Sequence, residues 1–152
     1  MDALWLTLQE SGYGIFVRNS VFFYPAANVL HVLSVISFFG LVATMDLALL
    51  GATGNTPAKQ VIGRLRPFAV ALLLLIAATG SVLFVAEAVA IAANPIFQFK
   101  VILIGLALAN VIVNEWVLRT RGDGASLVRL TAFISLLAWL GVAALGRLIA
   151  YV

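Results

Sequence analysis

The chain contains no cysteine and few charged residues. Of its 152 residues, 10% are Asp, Glu, Lys or Arg, whereas 64% are hydrophobic. The absence of cysteine excludes disulfides, thiolate metal sites and iron–sulfur clusters. A soluble domain usually has about a quarter of its residues charged, because it must cover a surface that faces water. The excess apolar surface must therefore face lipid, and the sequence predicts an integral membrane protein that interacts with the bilayer.

Histidine and clustered basic residues are also scarce, which limits the possible chemistry. The only histidine is His31, so a bis-histidine haem within one protomer is excluded. The net charge is +3, but the basic residues lie in short loops and not on one broad face, so we expect no nucleic-acid partner. The start of the chain lacks a basic n-region and its first apolar run begins near Pro25, so we expect no signal peptide.

Four apolar segments predict an all-α, up-down bundle of four transmembrane helices in a single domain. The expected spans are residues 25–50, 67–93, 97–118 and 130–151. Each is long enough to cross a bilayer, which needs about 20 residues. The short connections make neighbouring helices antiparallel. Residues 1–24 are expected to lie in the headgroup region as a short interfacial segment.

The distribution of basic residues predicts how the bundle is oriented. The connections after the first and third expected spans hold six of them: Lys59, Arg64, Arg66, Arg119, Arg121 and Arg129. The opposite side holds three, namely Arg18, Lys100 and Arg147. Basic loops stay in the cytoplasm. We therefore expect a multi-pass protein of the bacterial inner membrane with both termini in the periplasm.

Four ionisable residues, one from each expected span, fall in the same outer layer of the bilayer. They are His31, Glu87, Lys100 and Arg147. Ionisable groups in a membrane are costly and often functional. These four therefore form a candidate cofactor pocket, in which His31 is the candidate metal ligand for haem b or copper. The structural alternative is a neutral His31 bonded to Glu87 or a serine, with ion pairs that make the other charges tolerable.

A second polar layer lies near the expected cytoplasmic face. It contains the carboxylates Asp46 and Glu115 together with Asn114. We predict that the carboxylates form structural ion pairs with arginines of the nearby connections, which are Arg64, Arg66, Arg119 and Arg129. A carrier or proton path between the two layers is a further hypothesis, with few polar groups to support it in the apolar stretch between them.

A set of short motifs extends over nearly the whole chain. The motifs are Glu10-Ser11, Arg18-Asn19-Ser20, Tyr24-Pro25, His31, Asp46-Leu47, Leu49-Leu50-Gly51, Thr79-Gly80, Leu83-Phe84, Asn94-Pro95, Phe97, Phe99-Lys100, Asn110, Ser135 to Val142, Gly146-Arg147 and Ile149-Ala150-Tyr151. Together they resemble the bacterial inner-membrane family DUF6644. The chain differs in having Asn28, Ala48 and Glu115 where that family tends to have Glu, Arg and His. The resemblance implies a four-helix membrane fold and an inner-membrane location, and no particular function.

His31 in the first span and Lys100 at the start of the third are also similar to the pattern of two other four-helix families. These are the copper-resistance D-type proteins and the membrane protoporphyrinogen oxidases, which imply copper or porphyrin chemistry. Two main hypotheses follow. The chain is a non-catalytic accessory or structural subunit, whose partners are other membrane subunits or a second copy. Alternatively, it is a redox module that handles metal or haem in a periplasm-facing pocket around His31.

Overall fold

The computed structural model describes residues 2–149 except for positions 53, 55 and 123. Two short helices come first, α1 (Asp2–Gln9) and α2 (Gly12–Asn19). The remaining helices are α3 (Phe23–Leu49), α4 (Ala58–Ala86), α5 (Ala88–Ala93), α6 (Pro95–Arg121) and α7 (Ser126–Leu148). The described residues include no strand, so the predicted all-α class is confirmed.

The four long helices α3, α4, α6 and α7 are each long and apolar enough to cross a membrane. They contain 23 to 29 residues, which corresponds to roughly 35–44 Å at 1.5 Å of rise per residue. A bilayer has a hydrocarbon core of about 30 Å. The chain thus has the architecture of a multi-pass helical membrane protein, as the sequence predicts.

The four long helices form a bundle that is open on one side. Helix α3 packs along α4 and α7, and α7 packs along α6. Phe38 of α3 meets Trp139 of α7 edge to face, with ring centroids 4.7 Å apart. The Asn110 side chain of α6 donates a hydrogen bond to the Thr131 carbonyl of α7 over 2.9 Å. In the described part of the chain, α4 and α6 make few close backbone contacts, and we call the opening between them the α4–α6 cleft.

Two helix boundaries differ from the sequence prediction. Helix α4 begins at Ala58, and Pro67 lies inside it instead of opening it. Proline has no N–H, so the carbonyl of Gly63 loses one helical hydrogen bond; Gly63 is exposed near the end of the helix, where this loss is small. At the other end, the backbone leaves the helical region at Glu87 (φ −139°, ψ 42°), and this break separates α4 from α5.

The boundaries of the other long helices shift by a few residues. The Asn94 side chain accepts a hydrogen bond from the Ile96 amide over 2.8 Å and so starts α6 at Pro95, an arrangement typical of helix N-termini. Helix α7 begins at Ser126 and ends at Leu148, whereas the expected span was 130–151. Residues 150–152 of that prediction lie outside the described residues.

The N-terminal segment is helical and packs against the bundle. Helices α1 and α2 meet at Gly14, where an added Cβ would lie 2.3 Å from the Gln9 carbonyl oxygen. The Gln9 side chain accepts a hydrogen bond from the Val89 amide of α5 over 3.1 Å. Trp5 lies edge to face against Phe84 of α4, with centroids 5.4 Å apart. The segment therefore covers the end of the bundle where α4, α5 and α6 meet.

Candidate functional site

His31 projects from α3 onto α4. Its Nδ1 lies 2.9 Å from the Thr79 hydroxyl oxygen, and an added Cβ at Gly80 would lie 3.2 Å from the ring carbon Cε1. A side chain at position 80 would therefore require the imidazole to shift by a few tenths of an ångström. The partner of His31 is therefore a threonine of α4, and not Glu87 or a serine as the structural alternative expected.

The hydrogen bonds of Thr79 determine the tautomer of His31. The Thr79 hydroxyl donates its only hydrogen to the Leu75 carbonyl over 2.7 Å. With that hydrogen on the Leu75 carbonyl, Nδ1 of His31 is the donor to the hydroxyl oxygen, and in this tautomer of the neutral ring Nε2 carries the lone pair. The backbone carbonyl of Ile76 on α4 is a further hydrogen-bond partner of the ring. In this tautomer Nε2 is the nitrogen that can accept a proton or bind a metal ion.

Lys100 and Arg147 lie at the same end of the bundle as His31. The Lys100 ammonium would lie 3.0 Å from a Cβ added at Gly146 of α7, so the lysine stem passes over a glycine of the neighbouring helix. Its charge is close enough to act on the His31 ring. Arg147 lies in the last turn of α7. Of the four predicted outer-layer residues, the structure brings His31 and Lys100 into electrostatic range of each other.

Glu87 lies apart from this pair. It occupies the break between α4 and α5, and its side chain is exposed. Tyr24 of α3 lies within electrostatic range of it, and within the described chain Glu87 forms no ion pair with Lys100. The sequence prediction placed Glu87 within a continuous span, facing the bundle. The break in the helix is the physical reason for the difference, because it turns the side chain out of the interior.

At the opposite end, an ion-pair network joins α4 to α6. We call this the basic end, because the helix ends that meet here carry Lys59, Arg64, Arg66, Arg119, Arg121 and Arg129. Glu115 forms an ion pair with Arg66 across the α4–α6 cleft. Glu115 also pairs with Arg119, one turn along α6, where Oε1 of the glutamate lies 2.6 Å from Nε of the arginine. Within the described residues, Arg64 and Arg129 enter no ion pair. The network predicted for this layer therefore includes Glu115, Arg66 and Arg119.

Asp46 takes no part in this network. Its residue is 4% exposed, and its Oδ2 atom is buried without a hydrogen-bond partner. In the part of the chain that the structure describes, no arginine pairs with it, although the sequence predicted such a pair. Asp46 points between the helices toward Ser135 of α7, whereas Arg66 is engaged by Glu115. This geometry explains why the expected pair is absent.

A cavity of about 140 Å³ lies between the helices beside Asp46. Its walls are mostly apolar and come from α3, α4, α6 and α7. Three buried polar atoms without a hydrogen-bond partner belong to residues that line it: Asp46 Oδ2, Asn114 Oδ1 and Trp139 Nε1. Buried polar groups are usually satisfied, so three unsatisfied atoms around one space are unusual. This cavity is the second candidate site of the molecule.

The sequence contained signals for the cavity that the prediction did not use. Trp139 is the thirteenth residue after Ser126, roughly 20 Å along α7, which is near the middle of the helix. Tryptophan in membrane proteins favours the membrane–water interfaces. The central position of Trp139 was therefore a signal that its side chain lies between the helices. Asn114 and Ser135 were recognised as polar, but only helix packing shows that they face the same space. Thr79 stood out only as part of a motif.

Comparisons with known proteins do not identify a family. No protein-family model, curated protein or solved structure matches the chain. The resemblance to DUF6644 and to the copper and porphyrin families therefore stays a prediction. Among the described residues, no group of three or more His, Asp and Glu side chains could hold a metal ion, so a metal at His31 would need further ligands from elsewhere.

Proposed function

We propose that the chain is a non-catalytic accessory subunit that assembles laterally, within the bacterial inner membrane, with another transmembrane protein. This proposal rests on one observation, the small share of α6 that is buried within the chain. Of the 18 residues in its most apolar stretch, 6% are buried within the chain, compared with 33% in α3 and in α7. Helix α6 is therefore the part of the bundle with most surface left for another helix.

The uncovered surface of α6 is shaped for close helix contact. Gly105 and Ala109 lie four residues apart and are both exposed, and a Cβ added at Gly105 would meet nothing within 4 Å. Small residues at this spacing let two membrane helices approach closely. By contrast, Gly80, Gly141 and Gly146 are in contact with side chains of this chain. The packing of the monomer therefore accounts for those three glycines but not for Gly105.

The orientation expected from the basic residues is part of the proposal. The α3–α4 and α6–α7 connections share the basic end of the bundle. With that end in the cytoplasm, as the positive-inside rule favours, both termini are periplasmic. A partner on α6 would then contact the chain within the bilayer, next to the α4–α6 cleft.

Site-specific crosslinking in native membranes tests this proposal. The chain has no cysteine, so Gly105→Cys carries a unique thiol for a photoactivated crosslinker. We expect one discrete adduct whose second component is another membrane protein. The matched control is Leu137→Cys, because Leu137 is 52% exposed and belongs to α7 and not to α6. Equal labelling from both positions, or a protein that always purifies alone, would contradict the proposal.

The orientation of His31 supports a second candidate function, a haem- or metal-handling module. The ring is held in place by Thr79, and in the tautomer with hydrogen on Nδ1 its Nε2 carries the lone pair. His31 would supply one axial nitrogen for haem or one ligand for copper, and Lys100 would favour an anionic group beside it. An absorbance spectrum and metal analysis of purified protein test this candidate. We expect a Soret band or bound copper that His31→Ala removes, and the absence of both would contradict it.

A further inference from the structure

The cavity beside Asp46 contains polar atoms that an occupant of complementary chemistry would satisfy. Asp46 Oδ2 and Asn114 Oδ1 are acceptors, and the indole N–H of Trp139 is a donor. All three are buried and lack partners. An apolar cavity can stay empty, but a cavity with such groups favours an occupant that satisfies them. The occupant must therefore offer N–H or O–H donors to the two oxygens.

The charges that face the cavity favour a cation. Asp46 is a carboxylate with no counter-ion among the described residues. Arg66 and Glu115 also line the cavity, but they form an ion pair with each other. Asp46 is consequently the acidic group of the wall that a cation beside it would hold in its charged form. A monovalent cation with hydrogen-bond donors balances the charge of Asp46 and satisfies its free oxygen together with that of Asn114.

The remaining walls favour an organic cation over an inorganic one. Phe38 and Trp139 present an edge-to-face aromatic pair, and aromatic faces attract ammonium groups. Most other lining residues are aliphatic, including Val42, Leu73 and Leu108. A metal cation takes about six oxygen ligands, more than Asp46, Asn114 and Ser135 supply. The volume of about 140 Å³ would hold several waters at about 30 Å³ each or one short alkyl chain.

The α4–α6 cleft gives such a molecule a route to Asp46. The cavity is lined on one side by α4, from Ile62 to Leu73, and on the other by α6, from Leu108 to Leu118. These two helices make few close backbone contacts in the described chain. Val70 and Val111 line the cavity while remaining partly exposed. A lipophilic amine dissolved in the bilayer could therefore enter between them.

We infer that this cavity binds a small protonated alkylamine, with its ammonium group against Asp46 and Asn114 and its hydrocarbon chain between α4 and α6. The indole N–H of Trp139 is then available to an oxygen of the ligand or to a bound water. This site lies at the basic end of the bundle, whereas His31 lies at the other end. The inference is independent of the accessory function, since a partner on the outer face of α6 leaves the cavity interior free.

Titration calorimetry of the purified full-length protein in lipid nanodiscs tests the inference. The probe is n-butylammonium, and n-butanol is its neutral counterpart of similar size. We expect saturable binding of n-butylammonium that Asp46→Asn weakens at least tenfold, with little change for n-butanol. Glu10→Gln is the matched control, because it makes the same charge change at an exposed residue of the N-terminal segment, and it should leave binding unchanged.

A second variant keeps the test decisive if Asp46→Asn does not fold. Val111→Phe enlarges a partly exposed wall residue at the cleft and should weaken n-butylammonium binding without changing the charge. Potassium chloride at matched concentration should not displace the amine, which separates organic from inorganic cations. The inference is overturned if the wild-type protein shows no saturable binding, if both Asp46→Asn and Val111→Phe bind like the wild type, or if potassium displaces the amine.

Discussion

Arg66 of α4 and Glu115 of α6 form an ion pair across the α4–α6 cleft at the basic end of the bundle. Their side chains are 47% and 25% exposed, and Glu115 also binds Arg119 on its own helix. One carboxylate thus links α4 to α6 on the side where the two helices make few close backbone contacts. The pair is a direct connection between α4 and α6 that substitution can break.

Breaking this pair should lower stability by a small amount. We expect Arg66→Gln to reduce the free energy of unfolding by about 0.5–1 kcal/mol, because partly exposed ion pairs contribute on this scale. Equilibrium unfolding in detergent micelles measures the change, and a double-mutant cycle with Glu115→Gln isolates the coupling. Arg64→Gln is the control, since Arg64 is exposed and enters no ion pair within the described chain. Equal effects of Arg64→Gln and Arg66→Gln would contradict the prediction.

The turn between α1 and α2 should tolerate no side chain at Gly14. A Cβ there would lie 2.3 Å from the Gln9 carbonyl oxygen and 2.9 Å from that of Leu8, and both are backbone atoms that cannot move independently. We expect Gly14→Ala to destabilise the segment by about 1–3 kcal/mol, as overpacking does. Faster hydrogen exchange at the Val89 amide should report the loss of its bond to Gln9.

Gly12→Ala is the matched control for this turn. An added Cβ at Gly12 would meet nothing within 4 Å, and alanine has the higher helix propensity. We therefore expect Gly12→Ala to leave exchange at Val89 unchanged. A slow Val89 amide in Gly14→Ala would show that the two helices can separate at the turn without losing their contact with α5.

The sequence predicts the architecture well because hydrophobicity is a local property. Four apolar stretches of sufficient length identify the four long helices without any knowledge of their contacts. The ends are harder to predict. Pro67 suggested a helix start, but a proline near the membrane boundary can lie inside a helix when the lost hydrogen bond is at an exposed glycine, here Gly63. Likewise, no residue type near Glu87 predicts the break between α4 and α5.

The candidate sites were only partly predictable because they depend on contacts between helices. Their positions in the expected spans placed His31 and Lys100 in the same outer layer of the bilayer, and the structure brings them into electrostatic range. Asp46 and Glu115 also share a layer, and the sequence gives them the same environment. Their surroundings differ because Glu115 faces Arg66 and Arg119, whereas Asp46 faces the cavity. That difference follows from helix rotation, which composition does not determine.

Thr79 should determine the tautomer of His31. Thr79→Val removes the oxygen that accepts the Nδ1 hydrogen, so we expect a loss of about 1 kcal/mol and a mixture of the two neutral tautomers. Nitrogen-15 NMR of the imidazole measures this directly, and its signals are unambiguous because the chain has one histidine. Thr79→Ser keeps the hydroxyl and should keep the Nδ1–H form. The prediction fails if valine and serine at position 79 give the same tautomer population.

Removing the charge of Asp46 and removing the charge of Glu115 should change the free energy of unfolding in opposite directions. Asp46→Asn removes a buried carboxylate whose Oδ2 atom has no partner, and burial of an unpaired charge is costly. We expect it to raise the free energy of unfolding of the ligand-free protein by about 1–2 kcal/mol, on the scale of an unsatisfied buried group. Glu115→Gln makes the same chemical change but breaks bonds to Arg66 and Arg119, so it should be destabilising. Equilibrium unfolding of both variants under one set of conditions provides the comparison. If Asp46→Asn were destabilised as much as Glu115→Gln, the Asp46 carboxylate would have a cationic partner in the folded protein besides its hydrogen bond with Ser135, and the cavity would lose the unpaired acidic group on which amine binding depends.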